Sequence, residues 1–550
     1  MHLIRRGGAP YRSNLDKPME ITNPIPVRPA PADLETTGAE RMLLAACAAG
    51  AEVCFANPGT TEMPLVAALD AVPGVRAVLG LFEGVCTGAA DGYGRMTGKP
   101  ALTLLHLGPG FANGIANLHN ARRARTPIVN IVGDHASWHL EYDAPLTSDI
   151  HSLARPVSGW VRTVECSADI ERDTLDAFQA SLKAPGSIST LVFPVDFQQH
   201  PAGRQVDHAA PLPVARSVQE TRVDSVAQVL KAGKSVVFLL GGGALSERGQ
   251  RAASRIGAGT AARFFSETFP ARTERGGALP DIDRLPYFPE KAIEQLEDAD
   301  FVVLVETIVP VAYFGYEGLP SMLVDEQRLL TLADVAESGE GALERLAQAV
   351  GADASEAGAP ISRFAIPDSA LDPALVGKVL SNALPEAAIV SVEGGTCGYP
   401  FVTASASAAR HTILTNTGGA IGQGLPVALG AAIACPERRV FALQSDGSAQ
   451  YTIQSLWTMA RERLPVVVLI ASNRRYGILQ TELRRAGSTE FGPQARSLTE
   501  LDDPEFDWPA LAAGYGVPAV RARTTRELKV ALADALDHTG GPFLIEMVLA

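Results

Sequence analysis

The chain has 550 residues, a hydrophobic fraction of 46% and 51 glycines, which is typical of a large globular protein built from several α/β domains. Its net charge of -14 argues against nucleic acid and anionic membrane surfaces as partners. Six scattered cysteines without a Cys-x-x-Cys pair, and no apolar run long enough for a membrane span, predict free thiols in a reducing compartment and a cytoplasmic protein.

The N-terminal stretch and the segment after it differ in pattern. Residues 1–36 are rich in proline and have no apolar stretch behind Arg5 and Arg6, so we predict an extended arm and no secretory signal. Between residues 37 and 200, helical patterns alternate with short apolar runs that predict the strands of a first domain. These predicted strands are Val53–Phe55, Ala101–Leu107, Ile128–Val132 and Thr190–Pro194.

Two further segments repeat this alternation, each after a linker rich in small residues and proline. A second domain is predicted at residues 215–350 and a third at residues 365–550. The strands predicted in the second are Ser235–Leu240 and Phe301–Val305. Strands separated by helices form parallel sheets with helices on both faces. The expected fold class is therefore α/β, with three doubly wound parallel-sheet domains.

A phosphate and metal site is predicted where two strands of the third domain end. One apolar strand runs into Ser445-Asp446-Gly447-Ser448, and the strand from Val466 ends at Asn473. Glycine lets the backbone approach a ligand, and the helix that follows offers free N–H groups to an anion. The hard oxygens of Asp446 and Asn473 suit Mg²⁺ that holds a diphosphate. An ordinary strand–turn–helix with an aspartate at the helix start is the alternative.

This pattern resembles the Gly-Asp-Gly and Asn-Asn motif of enzymes that depend on thiamine diphosphate (ThDP). The chain departs from it twice, since Ser445 stands for the first glycine and Ser472 for the first asparagine. The resemblance implies cofactor contacts from Gly447 and Ser448. It also implies a Mg²⁺ ion held by the Asp446 carboxylate, the Asn473 amide and the backbone carbonyl of Arg475.

With three such domains in series, the chain resembles the superfamily of 2-oxo acid decarboxylases and acetolactate synthases from about residue 38 to residue 550. The domains implied are a pyrimidine-binding, a middle and a diphosphate-binding domain. Active sites of this superfamily lie between subunits, so the resemblance implies a homodimer or homotetramer. It also implies a small 2-oxo acid as the substrate.

A glutamate of the first domain matches the one that activates the cofactor in this superfamily. Glu83 follows an apolar run and precedes the stretch Ala89-Ala-Asp-Gly-Tyr-Gly-Arg95. The resemblance implies that its carboxyl group lies against the pyrimidine ring and drives removal of the thiazolium proton. A glutamate favoured by the dipole at a helix N-terminus is the alternative.

Two motifs of the first domain resemble benzoylformate decarboxylase in particular. His106 precedes a Gly-Pro-Gly turn, where acetolactate synthases usually carry a small hydroxyl residue, and a neutral imidazole can relay protons near pH 7. Thr60 ends the loop Asn57-Pro58-Gly59-Thr60, and its hydroxyl is expected to contact the substrate carboxylate. A structural histidine and a plain turn are the alternatives.

The acid–base pair of benzoylformate decarboxylase is only half present in the sequence. Its second active-site histidine comes from the middle domain, and here no histidine occurs between His208 and His411. The nearest stretch, Pro310–Tyr316, is apolar and aromatic. The particular substrate of that enzyme therefore does not carry over.

Glycine-rich stretches of the third domain match further cofactor contacts of the superfamily. Ile421 falls at the bulky wedge that bends ThDP, and a β-branched side chain suits a rigid support. Gly419 falls where a carbonyl accepts from the aminopyrimidine. Gly395 and Thr396 match the loop that reaches the diphosphate, and Tyr476 begins the helix on the substrate side. A glycine-rich core turn is the alternative.

The run Gly241-Gly242-Gly243 follows a predicted strand of the middle domain and raises the question of a nucleotide. Its spacing is not Gly-x-Gly-x-x-Gly, and glycine-rich turns between a strand and a helix are common. Acetolactate synthases bind FAD in this domain. FAD is therefore a candidate cofactor here, but it is not expected.

The expected activity is ThDP- and Mg²⁺-dependent decarboxylation of a 2-oxo acid, with the carbanion chemistry carried by the cofactor. After CO₂ loss the acyl carbon is either protonated, as in a decarboxylase (a lyase), or attacks a second carbonyl, as in an acetolactate-synthase-like carboligase (a transferase). His106 favours protonation. A catalytically inactive regulatory homologue is a third alternative, against which Glu83, Asp446 and Asn473 argue.

Overall fold

The computed structural model describes residues 36–202, 216–352 and 361–550. The predicted arm, apart from residue 36, and most of both linkers lie outside the described residues. Within them, three stretches of alternating strands and helices each build a sheet, which confirms the predicted fold class. No helix in these three ranges is long and apolar enough to cross a membrane.

The first sheet has the strand order β2-β1-β3-β4-β6-β5, with parallel neighbours throughout. Its strands are β1 Val53–Asn57, β2 Arg76–Leu79, β3 Ala101–His106, β4 Ile128–Asp134, β5 Trp160–Thr163 and β6 Ile188–Pro194. Its helices are α1 Gly38–Ala48, α2 Met63–Ala71, α3 Glu83–Thr97, α4 Leu107–Ala124, α5 Ile150–Ala154, α6 Ile170–Leu182 and α7 Val195–Gln199. Strand β3 stops one residue before its predicted end, because Leu107 takes a φ of 53° and begins α4.

The middle sheet is parallel in the order β10-β8-β7-β11-β12. The strands of this stretch are β7 Val236–Leu240, β8 Arg263–Ser266, β9 Thr273–Arg275, β10 Asp283–Arg284, β11 Phe301–Val305 and β12 Leu329–Ala333. Its helices are α8 Glu220–Lys231, α9 Glu247–Gly259, α10 Pro289–Leu296 and α11 Gly339–Ala349. Strands β7 and β11 are buried on both faces, as expected for apolar runs between helical layers.

The third sheet has the order β17-β18-β16-β15-β13-β14-β9. Its strands from the third stretch are β13 Ala388–Val392, β14 His411–Thr415, β15 Val440–Ser445, β16 Val466–Ser472, β17 Ala519–Ala522 and β18 Phe543–Val548. The helices are α12 Pro373–Ala383, α13 Gly395–Ala404, α14 Gly424–Ala434, α15 Asp446–Ala449, α16 Ser455–Arg461, α17 Gly477–Arg485, α18 Pro493–Thr499, α19 Trp508–Gly514 and α20 Thr525–Asp537.

One edge of the third sheet departs from the expected parallel order. Strand β9, which belongs to the middle stretch of the chain, pairs antiparallel with β14. The Thr412 hydroxyl donates to the Glu274 carboxylate at 3.0 Å, and the buried Arg275 side chain donates to the Val402 carbonyl at 2.9 Å. A short strand held by such contacts covers an edge that would otherwise expose unpaired backbone groups.

Helices α3 and α14 join the first and third sheets through a close backbone approach. A Cβ atom on Gly92 would lie 2.1 Å from the Val427 carbonyl oxygen, and one on Gly430 would lie 1.9 Å from that of Ala89. Glycine is therefore required at both positions. The two helices belong to one continuous apolar cluster that also includes Phe55 and Trp508.

Candidate active site

The carboxyl end of β15 places Asp446 in a buried position at the start of α15. Its side chain is only 1% exposed, and it accepts from the backbone N–H groups of Gly447 at 2.8 Å and Arg474 at 2.6 Å. Burial raises the pKa of Asp446 above its ordinary value, although these N–H groups oppose the shift. A bound cation would stabilise the charged carboxylate in such a place.

Asn473 and Thr396 lie at the same edge of the third sheet as Asp446. The Asn473 side-chain amide donates to the Thr396 hydroxyl at 3.2 Å, and its oxygen accepts from the Arg475 backbone N–H at 3.2 Å. The described residues contain no cluster of three His, Cys, Asp or Glu side chains that could hold a metal ion. A carboxylate, an amide and a backbone carbonyl are hard oxygen donors, which fits Mg²⁺ completed by phosphate oxygens.

A glycine at this edge makes room for Ser445, one of the two departures from the ThDP motif. Gly394 has a φ of 92°, and a Cβ atom there would lie 2.1 Å from the Ser445 hydroxyl oxygen. The serine that replaces the motif's first glycine is thus accommodated by a glycine on a neighbouring loop. A Cβ on Gly447 would lie 2.5 Å from the Tyr476 ring, so Tyr476 covers this turn. Ser448 donates to the Ser445 carbonyl at 3.1 Å.

The loop between β14 and α14 carries Gly419 and Ile421 at the surface of the third domain. Gly419 is exposed with a φ of 80°, and Ile421 is half-buried. Both backbone groups of Ala420 are bonded to the Asn120 side chain, at 2.8 and 3.2 Å, so helix α4 of the first domain holds the loop. This fixed shape fits the two roles that the sequence resemblance implies for Gly419 and Ile421.

A buried glutamate, which the sequence analysis did not single out, supports the same loop from below. Glu393 is 2% exposed and accepts from the backbone N–H groups of Gly422 at 2.6 Å and Gly424 at 2.5 Å. Burial raises the pKa of Glu393 to about 7, against the opposing effect of these N–H groups. Its position directly after an apolar strand was the only signal in the sequence.

Glu83 lies at the N-terminus of α3, half-buried beside the first turns of α4. Its carboxylate accepts from the Asn113 side chain at 3.0 Å. A Cβ atom on Gly110 would lie 3.1 Å from the other carboxylate oxygen, so that glycine keeps the approach open. The Gly-Pro-Gly and Asn pattern of α4 and Glu83 are thus brought together.

His106 ends β3 and pairs with a second, buried glutamate that sequence reasoning missed. Its Nδ1 atom lies 2.8 Å from the Glu62 carboxylate, which is 0% exposed. Glu62 also accepts from the Gly59 backbone N–H at 2.7 Å and from the Thr61 hydroxyl at 2.6 Å. The pair fixes the imidazole so that Nδ1 faces the carboxylate and Nε2 is the free ring nitrogen.

The loop that carries Thr60 does lie against His106, but Thr60 itself does not contact the ring. A Cβ atom on Gly59 would lie 2.4 Å from the imidazole, so the loop covers one face of it. The Thr61 hydroxyl lies 3.2 Å from His106 Nδ1, whereas the Thr60 side chain is exposed. Thr60 therefore remains available to a ligand in front of the loop.

Helix α4 connects the start of α3 in the first domain to the loop before α14 in the third domain. The Asn117 side chain donates to the Gly84 carbonyl at 2.7 Å and to the Gly422 carbonyl at 3.4 Å. Between residues of the three described ranges, no hydrogen bond or ion pair links Glu83 or His106 directly to Asp446.

An open cleft of about 620 Å³ lies where the three domains meet beside Gly419. The apolar stretch Pro310–Phe314 lines it together with Phe269, Tyr287 and Arg123. The Tyr313 ring lies against the glycine, since a Cβ atom on Gly419 would be 3.4 Å from it. The aromatic stretch noted in the sequence thus borders the predicted cofactor loop.

Two family models match the chain at these sites. The N-terminal TPP binding domain of thiamine pyrophosphate enzymes matches residues 36–153, and their C-terminal TPP binding domain matches residues 396–547. Both carry the predicted site residues, with Thr60, Glu83 and His106 in the first match and Asp446 and Asn473 in the second.

Similar proteins span nearly the whole chain. "Putative acetolactate synthase large subunit IlvX" of Mycobacterium tuberculosis is 46% identical over 93% of this chain and 99% of its own length. Benzoylformate decarboxylase of Pseudomonas aeruginosa is 29% identical over 90% and 96%. Among solved structures, the ThDP-dependent 4-hydroxybenzoylformate decarboxylase of Rhodococcus jostii RHA1 matches with a TM-score of 0.80 at 25% identity, over 94% of this chain and 99% of that one.

Fold, site and matches together define the class as ThDP-dependent enzymes, which confirms ThDP as the cofactor of the family. Within that class, the chain belongs to the family that includes acetolactate synthases and benzoylformate decarboxylases.

Proposed function

We propose that this protein decarboxylates a 2-oxo acid with ThDP and Mg²⁺ and releases the aldehyde, as a benzoylformate-decarboxylase-like lyase. The observation that carries the proposal is the pair of the buried Glu62 and the partly exposed His106, with Nδ1 at 2.8 Å from the carboxylate. An imidazole fixed in this way can deliver a proton through Nε2, which a carboligase does not need at this point of the reaction.

Two groups of residues have separate tasks in this proposal. Asp446, Asn473 and the Arg475 carbonyl hold Mg²⁺ with the diphosphate, while Gly419, Ile421 and Tyr476 fix the cofactor's shape and surroundings. ThDP, when bound, supplies the carbanion chemistry. The chain's own Glu83 binds the pyrimidine and drives its tautomer change, and Thr60 binds the substrate carboxylate through its hydroxyl.

His106 in its imidazolium form, with Nδ1–H bonded to Glu62, would donate its Nε2 proton to the acyl carbon after CO₂ has left and would become the neutral Nδ1–H imidazole. The Glu62 carboxylate stabilises the imidazole while it carries the proton, because the carboxylate is buried and already accepts from two other donors. A 22% exposed imidazole can recover its proton from water.

Carboligation of the acetolactate synthase type is the second candidate. It is favoured by the relative that is 46% identical and whose printed name includes acetolactate synthase. In that reaction the acyl carbon attacks the carbonyl of a second 2-oxo acid instead of taking a proton. We also propose a homodimer or homotetramer, because no hydrogen bond or ion pair between described residues joins Glu83 to Asp446 and a partner subunit can supply the second half of a site.

The test is a panel of 2-oxo acids, with CO₂, aldehyde and hydroxyketone measured together for the wild type and His106→Ala. If His106 delivers the proton, the variant should lose aldehyde release more than CO₂ release, and added aldehyde should divert product to hydroxyketone. Thr60→Ala is the control, since loss of one hydrogen bond to the charged substrate carboxylate, about 1.5–3 kcal/mol, should raise KM about tenfold or more without changing the product ratio. An unchanged ratio in His106→Ala would support carboligation instead.

A further inference from the structure

The carboxyl edge of the middle sheet has the shape of a ligand site. Gly241–Gly243 follows β7, Glu267 follows β8 and Glu306 follows β11, so all three meet at one edge. Open parallel sheets bind ligands at this edge, and glycine-rich turns there usually approach phosphate groups. The glycine run at this edge is the feature that made FAD a candidate cofactor in the sequence analysis.

The Glu306 carboxylate fills the position that a phosphate would take. One of its oxygens accepts from the Gly339 backbone N–H at 2.8 Å, at the start of the 11-residue helix α11. The backbone N–H of Gly243 also bonds to this carboxylate. The glycine-rich turn and the helix N-terminus therefore direct their free N–H groups at a side chain of the same chain.

The surrounding backbone is shaped around this carboxylate. A Cβ atom on Gly242 would lie 2.1 Å from one Glu306 oxygen, and one on Gly339 would lie 2.7 Å from the other. Glu306 itself has a φ of 55°, which is uncommon for a residue with a side chain. The glycines thus accommodate the glutamate side chain at the point where their N–H groups would otherwise meet a phosphate.

Charge at the edge also opposes a phosphate group. Glu267 lies near Glu306 and accepts from the Thr307 hydroxyl at 2.8 Å. Burial raises the pKa of both glutamates, and the Arg125 guanidinium acts against that shift in each. One arginine is therefore already shared by two carboxyl groups, and a diphosphate would add further negative charge.

We infer that Glu306 is a built-in anion that occupies the nucleotide cradle of the middle domain, so that this protein holds neither FAD nor another nucleotide diphosphate there. The residues at the edge do not fit FAD. The proposed reaction uses ThDP alone, and the inference about Glu306 stands independently of which 2-oxo acid is the substrate.

The first experiment measures nucleotide binding to the ThDP- and Mg²⁺-loaded wild-type protein. We expect no flavin absorbance after acid release of bound small molecules, and no saturable heat when FAD or ADP is titrated into the protein. Stoichiometric flavin in the purified protein, or saturable binding of ADP that Arg125→Ala weakens, would overturn the inference.

The second experiment asks whether the cradle accepts an external anion once Glu306 is shortened. Glu306→Ala should lower Tm, and inorganic phosphate should restore it in a concentration-dependent way beyond its general effect on the wild type. Glu317→Ala, which removes an exposed glutamate of the same domain, should behave as the wild type does. A phosphate response in Glu306→Ala no larger than in Glu317→Ala contradicts the inference.

A conservative variant covers the case in which Glu306→Ala does not fold. Glu306→Gln keeps the shape but removes the charge, so it should lose part of the charge-assisted hydrogen bonding and show a lower Tm without a gain from phosphate. If Glu306→Gln is as stable as the wild type, the carboxylate is not acting as the cradle's anion. Tight binding of FAD or ADP to Glu306→Gln would also contradict the inference, because the cradle would then accept a nucleotide beside an uncharged side chain of the same shape.

Discussion

Two glutamates of the first domain show how the same side chain takes different tasks in different surroundings. Glu62 is fully buried and accepts from Gly59, Thr61 and His106, so its position is fixed by three donors. Glu83 is half-buried and accepts only from Asn113 among these side chains, so one side remains open for a ligand. The first glutamate suits positioning of another residue, and the second suits direct contact with a cofactor.

Glu62→Gln should change how His106 handles protons. An amide carries no charge to stabilise an imidazolium, and it can donate to Nδ1 as well as accept from it, so the variant neither holds the proton on Nδ1 nor supports the additional proton on Nε2. We expect aldehyde release to lose part of the roughly 10²–10⁴-fold that a positioned acid–base group contributes, with KM nearly unchanged. The check is the pH profile of kcat, which should shift in Glu62→Gln but not in Glu141→Gln, which changes an exposed glutamate of the same domain. Equal profiles in all three proteins would show that Glu62 has only a packing role.

At the scale of single elements, strand ends were predictable to within two residues, since β1 and β4 each run two residues past their predicted ends, and the loops behind the strands were not predictable. Strand β11 is observed with its predicted bounds, and β16 ends one residue before Asn473, because a buried strand is a continuous apolar run in the sequence. The carboxylates of Glu62, Glu393 and Glu306 each accept hydrogen bonds from backbone N–H groups. These donors belong to a tight turn or to a segment that is distant in the sequence. No local pattern encodes such a contact, so these glutamates could be recognised only in the structure.

The loop at the end of β15 is expected to hold Mg²⁺ and ThDP through Asp446. Asp446→Ala removes the buried carboxylate that follows β15, so calorimetry should find no Mg²⁺-dependent ThDP binding. The circular dichroism spectrum should stay that of the wild type, because the backbone N–H groups it leaves can be solvated in the open edge. Asp368→Ala, an exposed carboxylate of the same domain, is the control and should bind ThDP normally. Unchanged ThDP binding in Asp446→Ala would remove Asp446 from the site.

The thermal stability of the protein should depend on pH through Glu393, which holds the loop that carries Gly419. Burial raises the pKa of Glu393 from its ordinary 4.5 to about 7, so the folded chain holds this proton more tightly than the unfolded chain. The stability that the raised pKa contributes is fully present below pH 4.5 and is lost as the pH rises through about 7. Between these limits the Tm of the wild type should fall relative to Glu393→Gln, which has no proton to lose. Tm curves that run parallel would contradict this.

At the scale of the whole molecule, a buried ion pair in α3 connects all three stretches of the chain. Asp91 and Arg95 form a two-bonded pair at 2.6 and 2.8 Å. Arg95 also donates to the carbonyls of Ala271 in the middle stretch and Thr415 in the third, and Asp91 accepts from Gln423 at 2.8 Å. In the sequence this motif served only to identify Glu83, because its role as a junction depends on residues from all three stretches of the chain.

The Asp91–Arg95 pair should contribute much more to the free energy of unfolding than a surface ion pair does. Arg95→Met leaves the fully buried Asp91 without its partner, and such a loss typically costs about 3–5 kcal/mol in the free energy of unfolding. Arg345→Met is the matched control, because it removes the same side chain from the exposed pair with Glu220 and should cost about 0–1 kcal/mol. The double variant Asp91→Asn/Arg95→Met should recover part of the loss, since no charge then stays buried alone. Urea unfolding measures all three proteins, and an Arg95→Met effect no larger than that of Arg345→Met would mean that the three sheets are held together by apolar packing alone.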